Sequence, residues 1–179
     1  MKFQRRISDG RAFSLVELVI VIVIIGVIAA IAIPRIGNAS QNAREAALRA
    51  DLKLLRDAIE LYTVEHGGDV PALRSAGTEA GAQTSEAFVR QLTWYTNDKG
   101  DAVLARDATH PLGPYLRRIP PLPVGANAGQ TRVFTMNHFT TPGAAGTGYG
   151  WEYEHYFGRI RANCPETEVG SNNVPYCDW

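Results

Sequence analysis

The sequence predicts an α+β protein: a long N-terminal helix carrying a small antiparallel β-sheet head. Three observations lead there. Of the 21 residues from Phe13 to Ile33, 18 are apolar, against 45% over the whole 179-residue chain. A second helical pattern follows at once, in which Leu48, Leu52, Leu55, Ile59 and Tyr62 recur at spacings of four and three. Beyond Gly67-Gly68 the periodicity changes to short alternating runs rich in aromatic and β-branched residues, bounded by Gly, Pro and Asn.

Residues 1–12, "MKFQRRISDGRA", carry Lys2, Arg5, Arg6 and Arg11 against Asp9, a net charge of +3. The apolar run 13–33 would measure about 31 Å as a helix, which matches a hydrocarbon core of about 30 Å. Its basic flank marks the cytoplasmic side, so the remainder is expected outside. Read from residues alone, the segment fits a single-pass anchor or a secretory signal cut after the Ala30-Ile31-Ala32 motif. Glu17 fits neither, because an unpaired carboxylate inside a bilayer costs about 2.5–3.5 kcal/mol on insertion scales and marks function.

The string "RAFSLVELVIVIVIIGVIAAIAIP" resembles the N-terminus of type IV prepilins. That resemblance implies a leader of residues 1–12, cut between Ala12 and Phe13 by a membrane-embedded prepilin peptidase that then N-methylates Phe13. Ala stands before the cut where the family more often has Gly. Glu17 then pairs with the new amino group of a neighbouring subunit, so that a charge costly in lipid becomes an assembly signal. Removing the leader leaves 14 basic and 17 acidic side chains, so a chain of formal charge zero becomes a mature protein of −3.

Pro34 removes one intrahelical hydrogen bond and is expected to kink the helix rather than end it. The amphipathic continuation spans 34–66, with alanines supplying propensity and Arg44, Glu45, Arg49, Asp51, Lys53, Arg56, Asp57 and Glu60 assigned to the solvent face. Gly67-Gly68 stops it. At 54 residues, or about 81 Å, the helix from Phe13 to His66 is too long for the head to enclose, so its first half needs lipid or other copies of itself.

The head is expected over 67–179. "DVPALRSAGTEAGAQT" reads as a loop, and Ser85-Glu86 opens a short helix with Phe88, Leu92 and Tyr95 on one face. "GPYLRRIPPLPVG" has too many prolines for a central strand and wraps the surface with Tyr115, Leu116, Ile119 and Leu122 inward. "TRVFTMN" (131–137) reads as a strand. "GYGWEYEHYFGRIRAN" reads as a hairpin in which Trp151, Tyr153 and His155 alternate against Glu152 and Glu154. The proline-rich run followed by this glycine and tryptophan hairpin is similar to the major pseudopilins of type II secretion, the G type.

Cys164 and Cys177 lie close enough in sequence to bridge in an oxidising compartment, or to remain two buried free thiols. A bridge here resembles the C-terminal loop of type IV pilins, whereas major pseudopilins commonly bind calcium there. Asp98, Asp101 and Asp178 are the oxygen ligands that calcium would use, although turns are rich in Asn, Asp and Gly for backbone reasons alone. No metal or cofactor is expected.

Zero net charge argues against a nucleic-acid partner. His66, His110, His138 and His155 form no ligand pair at helical spacing, and the glycine run 143–150 lacks the Lys-Ser/Thr of a phosphate loop. An enzyme is not expected. The resemblance implies a pseudopilin in the bacterial inner membrane with its head in the periplasm. It would polymerise with itself and other pseudopilins, extended by a platform protein and an assembly ATPase, for type II protein secretion. The alternatives are a type IV pilin or minor pilin of an adhesion or DNA-uptake filament, and an anchored or secreted binding module.

Overall fold

The computed structural model describes residues 13–74 and 83–179, apart from the side chains of residues 31–38. The leader with its junction at Ala12, the Pro34 kink and residues 75–82 of the glycine- and alanine-rich loop lie outside the described residues. The elements are α1 (Leu15–Glu65), α2 (Ser85–Thr93), β1 (Tyr95–Thr96), β2 (Ala102–Val103), β3 (Val133–Met136), β4 (Trp151–Glu154) and β5 (Arg159–Ala162), followed by a 3₁₀ turn, Tyr176–Asp178. The chain divides into two compact units, Met1–Ser40 and Gln41–Trp179.

In the first unit, the large apolar side chains from Leu15 to Ile28 are all exposed, Leu15 at 79% and Ile28 at 61%. In the second unit, α1 presents the anticipated stripe. Leu48, Leu52, Leu55, Ile59 and Tyr62 are buried and meet Phe88 and Leu92 of α2, Trp151 and Tyr153 of β4, and Leu116, Ile119 and Leu122 of the proline-rich run in one core. The helix ends as its glycines demand. Gly67 and Gly68 take positive φ, and the Gly68 N–H donates to the Thr63 carbonyl at 2.9 Å, the long bond of a Schellman cap.

α2 begins one residue earlier in capping terms than Ser85-Glu86 suggests, because the Thr84 side chain accepts from the Ala87 N–H. Its core-facing Gln91 is buried and serves as a fastener. It accepts from the Ala72 N–H at 2.6 Å and donates to the Gly100 carbonyl at 2.9 Å, tying two loops to the helix.

The α+β class holds, but the three-stranded sheet is mixed. β4 and β5 form the expected antiparallel hairpin, whereas β3 runs parallel to β4, with Val133 opposite Trp151 and Met136 opposite Glu154. Parallel neighbours need a connection of a dozen or more residues, and the glycine-rich run 137–150 supplies it. That crossover also corrects the hairpin's expected solvent face. All four residues of β4 are buried, Glu152 and Glu154 included. The Ala145 N–H reaches Glu152 at 3.0 Å, the Phe139 N–H reaches Glu154, and Arg161 and Arg159 neutralise the two carboxylates. Burial alone would raise the pKa of Glu154, but hydrogen bonds from Arg159 and His138 outweigh it and hold the carboxyl below its ordinary value.

Candidate functional site

The first turn of α1 places Phe13, Ser14 and Glu17 together. The Ser14 N–H donates to Glu17 Oε2 at 3.0 Å, and the Val16 N–H donates to Ser14 Oγ at 3.3 Å. Ser at the cap and Glu three residues on therefore satisfy two otherwise orphaned donors reciprocally, a capping box. The S-x-x-E spacing from Ser14 to Glu17 is the sequence signal of this helix start. Phe13 itself is 84% exposed. The carboxylate thus lies beside the peptide group that joins Phe13 to Ser14. Its acceptor capacity is not exhausted by one N–H, since an ionised carboxylate offers about four lone-pair sites.

Among the described residues no helix is long and apolar enough to cross a membrane. Around Glu17 the apolar side chains that are described, including Leu18, Val19, Ile20, Val21 and Ile22, are exposed without protein partners in the single chain. Exposed apolar surface of this extent marks contact with lipid or protein.

In the head, the structure overturns the solvent-face assignment of Glu45. Its residue is only 2% exposed. Its carboxylate accepts from the Ser171 N–H at 2.8 Å, the Ser171 hydroxyl at 2.6 Å and Gln41 Nε2 at 3.1 Å. The Ser171 hydroxyl leads these contacts in lowering the carboxyl pKa against the opposing effect of burial. Glu45 sits three residues before Leu48, so the 3-4 stripe extended by one step points to it; a charged residue there masks the continuation. Through Glu45 the terminal loop is fastened to α1.

Cys164 and Cys177 are both buried and both free, so the bridge is not formed and the free-thiol alternative describes the structure. Cys164 interacts with Glu168 and with Cys177, and Cys177 Sγ lies 3.8 Å from Asp178 Oδ1. Burial, reinforced by those carboxylates, raises both thiol pKa values and keeps the sulfurs protonated.

The calcium candidates do not converge. Asp101 closes a turn in which Asn97 Oδ1 accepts from the Lys99 and Asp101 N–H groups, Asp98 is exposed on the same turn, and Asp178 lies in the terminal 3₁₀ turn. Among the described residues no three His, Cys, Asp or Glu side chains gather around a metal position. His138 Nδ1 lies 3.1 Å from Glu154, while His155 is buried with neither ring nitrogen partnered. Desolvation lowers the His155 pKa and keeps the imidazole neutral.

A model of the prokaryotic N-terminal methylation motif matches residues 8–33. The major component of the type IV narrow pilus of Thermus thermophilus, PilA5, is 33% identical over 94 residues, covering 52% of this chain and 77% of that protein. The type II secretion system core protein G of Klebsiella pneumoniae is 27% identical over 134 residues, covering 70% of this chain and 83% of the relative. The corresponding protein of Pseudomonas aeruginosa is 30% identical over 63 residues, covering 35% of this chain and 43% of its own length. No solved structure matches.

Proposed function

The chain belongs to the type IV pilin-like family, and we propose that it is a pseudopilin, a structural subunit of a periplasmic type II secretion filament. The methylation motif at 8–33 and the likeness to two core G proteins support this reading. The observation that carries it is the arrangement at Phe13–Glu17. Cleavage after Ala12 frees an ammonium on Phe13, and N-methylation keeps it cationic. In the monomer Glu17 is held by the Ser14 N–H, one residue from that ammonium. In a filament the carboxylate retains capacity for a neighbour's ammonium, so each added subunit neutralises a charge that lipid penalises.

On this reading residues 13–33 anchor the subunit in the inner membrane with its leader cytoplasmic and its head periplasmic. A prepilin peptidase matures it, and a platform protein with an assembly ATPase extends the polymer. The role is structural, and neither calcium nor another cofactor is assigned to it.

The mature N-terminus tests the first step: mass analysis should find N-methyl-Phe13, whereas an N-terminus at Ile33 or Met1 would refute it. Replacing Glu17 by Ala should abolish incorporation into sheared filaments without changing head folding; normal incorporation would remove the assembly role. The extent of similarity to PilA5 favours a second reading, a type IV pilus subunit. Deletion separates the two, since loss of protein export supports the pseudopilin and loss of surface filaments the pilin.

A further inference from the structure

Two features of the head, a groove and an exposed aromatic turn, lie on opposite flanks of α1. On one flank a groove of ≈ 490 Å³ runs between α1 and the proline-rich segment, lined by Asp51, Leu54, Tyr115, Arg117, Arg118 and Pro121 among others. Leu54 is 47% exposed there. On the other flank the β4–β5 turn projects Tyr156 and Phe157, 47% and 62% exposed. At their base, Tyr156 and Phe157 make ring contacts with His138, His155 and Arg159. The turn closes tightly onto the helix, because a Cβ at Gly158 would stand 2.9 Å from Val70 and 3.4 Å from Ile59.

The flanks are opposite by helix geometry. Leu54 lines the groove, and Arg56 lines the cleft beside Gly158 and Arg159. Two positions along α1 separate them by about 200° around the axis. The aromatic turn of one molecule cannot reach its own groove.

Charged side chains outside the ion pairs lie on both flanks. Among the described residues, Asp51, Arg117 and Arg118 on the groove flank make no ion pair. On the turn flank, Arg56 donates to the Trp179 main-chain oxygen and Asp178 accepts from the Cys177 thiol, and among the described residues neither side chain is in a side-chain ion pair. Each flank carries both signs, so across two copies Arg56 can answer Asp51, and Asp178 can answer Arg117 or Arg118.

We propose that the Tyr156–Phe157 turn of one copy seats in the Leu54 groove of the next copy, with Arg56 meeting Asp51. One displacement satisfies both contacts. Ile59, beneath the turn, is five residues beyond Leu54, and Arg56 is five residues beyond Asp51, so a shift of about 7.5 Å along α1 aligns both pairs. Arg117 and Arg118 then lie over aromatic faces and toward Asp178. A contact between unlike surfaces with an axial offset propagates as a helical array instead of closing on itself. This interface deepens the filament reading and rests on it.

The test uses the full chain in its membrane. Leu54→Cys and Phe157→Cys variants, co-produced and oxidised, should yield a dimer that neither variant yields alone. Asp51→Arg and Arg56→Asp should each lower filament yield about tenfold, and the double variant should restore it, a rescue that a loss of folding cannot produce. Intact filaments without the mixed dimer would overturn the interface while leaving the filament role standing. A Phe157–Phe157 position dimer in its place would overturn it equally, by showing a symmetric contact. Absence of filaments from the unaltered chain would refute the filament role and the interface together.

Discussion

The two parts of α1 are one element of backbone with two kinds of surface. From Leu15 to Ile28 the large side chains are apolar on every face and exposed on every face. From Gln41 to Glu65 the apolar residues narrow to a stripe, and that stripe is buried while Leu61 and Val64 stay outside. Helix propensity is lower in the Val- and Ile-rich first part than in the Ala-rich second, yet both are helical. Periodicity distinguishes them: an all-round apolar helix needs lipid or other copies, and a one-sided helix needs only a head. The buried core of the head therefore draws on the second part, while the first keeps its apolar surface exposed.

Substitutions can break or sharpen that contrast. The largest expected effect is Leu52→Ala, which empties a fully packed position and should destabilise the head by about 2–5 kcal/mol in denaturant titration. A change near zero would mean that the stripe is not the core. Glu45→Ala comes next, since it strands the Ser171 N–H and hydroxyl, with an expected loss of about 1–3 kcal/mol and loosening of residues 165–179 by hydrogen exchange. Because the Glu45 pKa is lowered when folded, its contribution is present above about pH 4.5 and fades as pH falls through the folded value. The Ala variant should lose that acid sensitivity.

His155 supplies a smaller, pH-dependent effect. Its folded pKa lies below 6.5, so the unfolded chain binds the extra proton first and stability declines as pH drops below 6.5. His155→Phe should flatten the decline between pH 7 and 5, measured as melting temperature against pH. The smallest effect is expected for Ile22→Ala, within about 0.5 kcal/mol for head unfolding in detergent, since this side chain is exposed. Filament yield from the same variant should fall, placing its contribution between copies.

Sequence reasoning reads local patterns well and long-range closures poorly, and particular residues show why. The helix stop at Gly67-Gly68 depends on backbone freedom carried by those two residues, and the stripe from Leu48 to Tyr62 depends on a fixed angle per residue. Both were legible. The burial of Glu45 depends on Ser171, and that of Glu152 and Glu154 on a loop folded over them and on Arg161 and Arg159. Charge alone argues for exposure at all three positions; only partners brought from elsewhere reverse it. The Ser14–Glu17 box was within reach, because its partners lie three residues apart.

The sequence by itself determined the long helix, its division into an all-apolar and a one-sided part, the position of Glu17 and the α+β class, because each follows from spacing along one chain. Tertiary structure alone decided the parallel pairing of β3 with β4 and the burial of three carboxylates. Those outcomes depend on which distant segments share a volume, and no local energy encodes that choice.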